Sequence, residues 1–226
     1  MDFRHTLAVI LAMQLMTGTI RAIEGERDLF CLFQTAGLSR EDYVGPWIGV
    51  GFDDGRVRTI RWSYGCAGVK SLDWLPPKLG ELELFHRKSR KRLHTRCLPR
   101  TLMFCWIVMS DVFGKVDLVS LPAPLQVLNL QSNRIAGTIS LTYLPRNISA
   151  ILFWGNPIQK VVVDNDALPH TLRKVHFHYL KKVIKIQTID GSTADRRISL
   201  SDLLDSQQFK LLLAKSSCSP TIFEQK

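Results

Sequence analysis

The chain lacks the short motifs that support most enzyme chemistry. Its 226 residues contain no phosphate-binding glycine loop, no Gly-x-Ser-x-Gly nucleophile turn and no paired zinc cysteines. The five cysteines are spaced as in neither zinc sites nor thioredoxin-like proteins. The sequence therefore predicts no catalytic residue, no metal site and no cofactor, and an enzyme is the least favoured of the functions considered.

Long apolar runs are also missing, and no segment after residue 22 is long and apolar enough to cross a bilayer. A short apolar run, Leu7–Met16, follows two basic residues and precedes small and polar ones. This layout predicts a secretory signal peptide over residues 1–22, and a secreted or cell-surface protein or one in an endomembrane lumen. The alternatives for this segment are an uncleaved anchor and a buried N-terminal helix.

What the chain does contain is a repeated phrase, Leu-Pro-x-x-(Leu or Ile). The phrase begins at Leu75, Leu98, Leu121, Leu144 and Leu168, in three steps of 23 residues and a last step of 24. A fixed period in the twenties indicates units that cannot bury an apolar face alone. Stacked units share one core, so the sequence predicts a solenoid, and solenoids mostly bind other molecules.

The unit that starts at Leu121 shows the pattern within one repeat. Leu128 and Leu130 are two residues apart and share one face of a short strand. Asn133 ends that strand, and we expect its amide to bond the backbone of the neighbouring turn in an asparagine ladder. Asn156 takes this place one unit later, whereas Ser110 takes it one unit earlier.

The second half of each unit is predicted to be extended and not helical. Gly137 permits a tight bend, and the apolar residues Ile139 and Leu141 then alternate as in a strand. Counting one partial turn around Ile60 and Trp62, about six parallel strands are expected.

This pattern resembles the leucine-rich repeat. The opening Leu-Pro is similar to that of repeats in kinetoplastid protists, and the Leu-x-Gly-x-Ile segment is similar to the plant-type repeat. Residues 47–57 resemble the plant-type N-terminal cap. The resemblance implies an α/β horseshoe, a leucine-rich-repeat solenoid with a parallel concave sheet and a mostly non-helical convex side. Its divisions would be an N-terminal cap at 23–56, repeats at 57–178, and a C-terminal cap and tail at 179–226.

In such a fold the residues that flank each inward pair point into the concavity. Aromatic and apolar side chains are predicted there, and exposed clusters of this kind are typical binding anchors. The predicted anchors are Phe85, Phe104, Trp106, Leu152 and Trp154. The predicted polar discriminators are Glu81, Glu83, Asn129, Gln131 and Arg61. The predicted function is non-catalytic recognition of a protein or peptide ligand; alternatively, a cap, a neighbouring loop or a dimer partner covers these side chains.

A run of basic residues suggests a second function. The chain carries a net charge of +10, and its densest basic patch comprises Arg87, Lys88, Arg90, Lys91 and Arg92. This patch predicts a second class of partner, an acidic surface such as a glycan or an anionic lipid. Nucleic acid is the less expected polyanion, because no aromatic residues are interleaved in the run.

The cysteines and one asparagine complete the sequence predictions. Cys66 and Cys105 fall at inward repeat positions and are predicted to be core residues. Cys31, Cys97 and Cys218 are the disulfide candidates if the chain is secreted, and the sequence does not pair them. The sequon at Asn147 predicts N-glycosylation if the chain enters the secretory route.

Overall fold

The structure is a computed structural model that describes residues 49–54, 56–62, 72–73, 75–85, 90–179 and 183–200. The described ranges leave out the predicted signal peptide and most of both predicted caps. They also leave out three of the five cysteines and two of the five residues of the predicted basic patch. Those cysteines are Cys31, Cys66 and Cys218, and those basic residues are Arg87 and Lys88.

Within these ranges the chain forms fourteen strands, arranged in three sheets, and two single-turn 3-10 helices. The strands are β1 Val50–Asp53, β2 Arg56–Trp62, β3 Glu81–Phe85, β4 Lys91–Arg92, β5 Phe104–Val108, β6 Val112–Gly114, β7 Val127–Asn129, β8 Arg134–Ile135, β9 Gly137–Leu141, β10 Ala150–Leu152, β11 Ile158–Val163, β12 Lys174–His176, β13 Lys185–Thr188 and β14 Ile198–Ser199. The 3-10 helices are η1 Thr95–Cys97 and η2 Leu118–Ser120.

The largest sheet has the order β1-β2-β3-β5-β7-β10-β12-β14. All neighbours from β2 to β14 are parallel, and only β1 pairs antiparallel, as a hairpin with β2. The six predicted repeat strands are β2, β3, β5, β7, β10 and β12, and they lie side by side in chain order. This arrangement confirms a leucine-rich-repeat-like solenoid, and β14 continues its sheet beyond the last predicted repeat strand.

Each Leu-Pro phrase forms the same turn. The proline carbonyl accepts a hydrogen bond from the backbone N–H three residues later, at 3.0–3.1 Å in all five units. Proline also forces the preceding residue to be extended, as seen at Leu98 with ψ 136° and at Leu121 with ψ 148°. The phrase therefore redirects the chain, and the apolar residue that closes the turn is buried in every unit.

The shared core is a continuous apolar row across the main sheet. The strand register aligns six fully buried side chains from β2 to β12, namely Ile60, Leu82, Cys105, Leu128, Ile151 and Val175. Burial raises the pKa of the Cys105 thiol to about 12, so this cysteine is an unreactive core residue, as predicted.

The convex side is built from strands and tight turns. Strands β9, β11 and β13 form one parallel sheet, and β4, β6 and β8 form another. No α-helix occurs among the described residues, which confirms the prediction of a mostly non-helical convex side. Gly137 opens β9 with φ 91°, a conformation that glycine adopts without steric cost.

The predicted asparagine ladder is present. The Asn133 Oδ1 accepts from the backbone N–H groups of Ser110 and Val112, both at 3.1 Å. Its Nδ2 donates to the carbonyls of Ile107 at 2.6 Å and Leu130 at 3.0 Å. One buried amide thus satisfies backbone groups of two successive coils.

Two further side chains extend this ladder. Asn156 accepts from the Ile135 N–H at 2.9 Å and donates to the Leu130 carbonyl at 2.7 Å. Ser110, at the place of the missing Asn, donates towards the Leu84 carbonyl at 3.3 Å. Because β3 and β5 pair in unbroken register over five residues, the serine does not interrupt the stacking.

We expect Asn133→Ala to lower the free energy of unfolding by about 3 kcal/mol, because several buried backbone groups lose their partner. Urea denaturation of the variant measures the loss. Asn147→Ala is the matched control, since Asn147 is exposed, and it is expected to change stability by less than about 0.5 kcal/mol. Equal effects of the two substitutions would contradict a structural role for the ladder.

Candidate ligand-binding face

We use the term concave face for the side of the main sheet that points away from the apolar core. Strand register aligns two rows of side chains on it. The first row is Thr59, Glu81, Phe104, Val127, Ala150 and Lys174. The second row is Arg61, Glu83, Trp106, Asn129, Leu152 and His176. Both rows consist of the positions that the sequence alternation predicts.

A second apolar cluster, separate from the core, occupies the middle of this face. It contains Phe85, Trp106, Val108, Val127 and Ala150, with Phe104 packed against it. The side chains of Phe85 and Trp106 are each only 5% exposed, so the expectation that they point into solvent is wrong. Neighbouring strands are about 4.8 Å apart, and large side chains aligned at that spacing pack on one another.

The five predicted anchors fall into two groups. Phe85, Trp106 and Leu152 are buried, whereas Phe104 and Trp154 are half-buried. Of the five predicted anchors, Phe104 and Trp154 are therefore the two that present accessible surface. The buried anchors support the face from within the second apolar cluster or beside it.

Two hydrogen-bond donors, one in the second row of this face and one in the turn that follows β7, are buried and unpaired. Neither the indole Nε1 of Trp106 nor the amide Nε2 of Gln131 finds an acceptor in the described part of the chain. An unsatisfied buried donor costs about 1–3 kcal/mol, and native proteins contain few of them. Both residues were predicted as binding residues, but the missing acceptors are evident only from the structure. A second side-chain amide, that of Asn129, is used internally, because its Oδ1 accepts from the Gln131 backbone N–H at 3.1 Å.

The polar end of the concave face is a preformed ion pair. The Arg61 guanidinium donates to both carboxylate oxygens of Glu81, at 3.0 and 3.1 Å. The Glu83 carboxylate lies 3.9 Å from the same guanidinium. Both carboxylates are buried and Arg61 is half-exposed, and through the strand register this charged group borders the second apolar cluster.

The basic patch is only partly on the surface. Arg90 and Arg92 are exposed, and the Arg90 guanidinium lies 5.6 Å from the centroid of the Phe113 ring. Lys91 is buried, because it lies in β4 opposite Val112 and the strand alternation turns it inward. The prediction that Lys91 belongs to a surface patch is therefore corrected. Binding of polyanions remains a prediction.

A cluster that the sequence reasoning missed lies at one edge of the coils. Ligand atoms of Asp73, His94 and Cys97 are within 4.8 Å of one another, and all three residues are exposed. The His94 Nδ1 lies 3.2 Å from the Asp73 Oδ1. The signal in the sequence is the short His-x-x-Cys spacing, but only coil stacking brings the aspartate, 21 residues earlier, beside it.

The cluster does not have the electrostatics of a catalytic cysteine. Partial burial raises the pKa of the Cys97 thiol, and a hydrogen bond to Asp73 and the charge of its carboxylate raise it further. A nucleophilic cysteine requires the opposite, a pKa lowered by nearby positive charge. The Cys97 thiol is free in this structure, and the other two disulfide candidates, Cys31 and Cys218, lie outside the described residues.

The predicted glycosylation site lies on the surface. Asn147 is exposed in the turn of its Leu-Pro phrase, where its Nδ2 donates to the Ala123 carbonyl at 3.3 Å. Across the described ranges, no helix is both long enough and apolar enough to span a membrane.

Comparison with known proteins adds little to this picture. No family model and no curated protein matches the chain. Among solved structures it is similar to the crystal structure of a pollen receptor kinase 3, with 12% identity and a TM-score of 0.36. The match covers 74% of this chain and 86% of that one. A likeness this weak supports no functional conclusion, so the fold assignment depends on the strand register and the asparagine ladder.

We expect Trp106→Ala to lower the free energy of unfolding by about 3–5 kcal/mol, because a large buried side chain is lost from the second apolar cluster. Trp154→Ala is the matched control, since Trp154 is half-buried and outside that cluster, and it should cost no more than about 2 kcal/mol. Urea denaturation of the two variants measures the difference. If Trp154→Ala lowered the free energy of unfolding more than Trp106→Ala did, the prediction that Trp106 contributes more to the packing would be contradicted.

Proposed function

We propose that this protein is a non-catalytic recognition module that binds an extended segment of another protein on its concave face. The observation that supports the proposal best is a pair of unpaired buried donors, Trp106 Nε1 within the second apolar cluster and Gln131 Nε2 in the turn after β7. Backbone carbonyls or carboxylates of a peptide are the acceptors that these donors lack. An acceptor supplied from outside would remove the free-energy cost of both donors, and this gain would favour the bound state.

The surrounding residues suit a peptide ligand. Apolar side chains of the peptide would pack against the half-buried Phe104 and Trp154, which are residues of the kind that dominates binding hot spots. The Arg61–Glu81 ion pair and Glu83 would border the site and select polar groups at one end of the peptide. Because both donors are inaccessible to solvent, binding requires rotamer changes in the second apolar cluster, which are common at interfaces.

We also propose that the protein acts in the secretory route, at the cell surface or outside the cell. The layout of residues 1–22 and the exposed position of Asn147 support this location. We further propose a finer family relationship for this chain. In it, the repeats are of the Leu-Pro type found in kinetoplastid protists, and the N-terminal cap is of the plant type. The uniform turn at every Leu-Pro phrase is compatible with that repeat type.

A displayed library of random linear peptides, selected on the immobilised full chain, tests the binding function. We expect Gln131→Leu to weaken the selected peptides by about tenfold or more, because a donor to the ligand is removed. The same substitution should leave the free energy of unfolding unchanged or raise it by up to about 1 kcal/mol, because the unpaired donor is gone. If Gln131 served only to pack the fold, weaker peptide binding would not be expected together with unchanged or higher stability.

The matched control is Gln159→Leu, which makes the same change at an exposed residue of β11 on the convex side. It should leave peptide binding unaffected. Failure to select any peptide, or equal binding by Gln131→Leu and the original chain, would contradict the proposed site. Selected ligands that are acidic and are displaced by heparin would instead favour the polyanion function.

We expect the chain to carry one N-linked glycan when it is secreted from a eukaryotic host, because Asn147 is exposed within a sequon. Glycosidase treatment should lower the mass of the secreted chain and leave the Asn147→Gln variant unchanged. A secreted chain whose mass does not respond to glycosidase would argue against this modification.

A further inference from the structure

The exposed cluster of Asp73, His94 and Cys97 lies away from the concave face and plays no part in the proposed peptide binding. His94 directly precedes the 3-10 turn η1, Cys97 is the last residue of that turn, and Asp73 lies beside them in the preceding coil. Their ligand atoms are within 4.8 Å of one another, and the imidazole and carboxylate are already 3.2 Å apart. A nitrogen, a sulfur and an oxygen ligand thus converge on one point of the surface.

The backbone that carries these ligands is held in place by the core. The Cys97 N–H donates to the His94 carbonyl at 3.0 Å, and the buried Thr95 between them donates to the Asp117 carbonyl at 2.9 Å. Leu72, next to Asp73, is also buried. His94 and Cys97 are therefore presented by one hydrogen-bonded turn, and this preorganisation of two of the three ligands favours metal binding.

The next coil shows that the repeat itself does not require these residues. Counting 23 residues onward, His94 corresponds to Asp117 and Cys97 corresponds to Ser120. Asp117 caps its turn in the ordinary way, because its carboxylate accepts from the Val119 N–H at 3.2 Å. His94 occupies the same capping position in η1 but makes no capping hydrogen bond. Its ring is directed instead towards the carboxylate of the preceding coil.

We propose that Asp73, His94 and Cys97 form a binding site for a zinc ion. Zinc binds cysteine, histidine and carboxylate ligands at about 2.0–2.3 Å in tetrahedral geometry. Neighbouring ligand atoms of such a site are roughly 3.3–3.8 Å apart, so the cluster closes on the ion with side-chain movements of about 1 Å. Because the cluster is on the surface, the fourth position is open to water or to an acidic group of a partner.

Zinc-dependent protection of the thiol tests the site without any assumption about function. The reduced full chain is treated with iodoacetamide, with and without Zn²⁺, and the alkylation of each cysteine is measured by peptide mass spectrometry. We expect Zn²⁺ to slow the alkylation of Cys97 by roughly tenfold or more, because metal binding consumes the reactive thiolate. The buried Cys105 should react slowly under both conditions.

Variants identify the ligands. In His94→Ala and in Asp73→Ala the alkylation of Cys97 should no longer respond to Zn²⁺, and since both residues are exposed, the chains should remain folded by circular dichroism. Asp117→Ala is the matched control, because it removes a carboxylate from the equivalent turn of the next coil. In this variant the protection of Cys97 should remain.

Three results would overturn the proposal. The first is an alkylation rate of Cys97 that Zn²⁺ does not change in the original chain. The second is protection that persists in His94→Ala, which would indicate binding to the thiol alone. The third is a disulfide at Cys97 in the protein isolated from its native compartment. None of these results bears on the peptide site, because Gln131 and Trp154 lie in other coils.

Discussion

The hydrogen bonds of one buried amide, that of Asn133, hold the central coils of this protein together. Parallel coils leave backbone N–H and carbonyl groups at the end of each strand, and these groups are too costly to bury without partners. The amide pairs them across two coils at a time. Asn156 does the same one coil later, and Ser110 supplies one such bond one coil earlier. This pairing satisfies the backbone at the strand ends of the main sheet, and every surface described above depends on the parallel register of that sheet.

Strict register has a consequence for the two faces of the sheet. On the inner face it aligns the apolar residues of successive strands into a continuous core, where polar groups such as Asn133 and Asn156 are fully used. On the concave face it aligns side chains of mixed size and polarity, and this layer leaves Trp106 and Gln131 with unpaired donors. The contrast between the two layers is the physical basis of the proposed function. In the proposed function, a ligand that supplies acceptors for these two donors would gain free energy by pairing them.

The coil edges show how a repeat can vary its chemistry without changing its backbone. Turns η1 and η2 occupy equivalent positions and both end at the leucine of a Leu-Pro phrase. In η2 an aspartate caps the turn, and it also pairs with Arg96 at 3.6 Å. At η1, His94 and Cys97 instead lie close to Asp73 of the preceding coil. Because proline and the buried leucine already define the turn, the exposed positions are available for other functions.

Local patterns in the sequence determined the solenoid, the inward rows, the ladder and the extended convex side. Each of these features depends on spacings of two residues or of one repeat, which are visible along the chain. Only the tertiary structure decided that Trp106 and Phe85 are buried together and that Lys91 is turned inward. Likewise, only the stacked coils bring Asp73 beside His94 and leave the Gln131 amide without an acceptor. These features depend on side chains that meet from different coils, and whether a side chain is covered, paired or unpaired is set by such neighbours and not by its own position in the repeat.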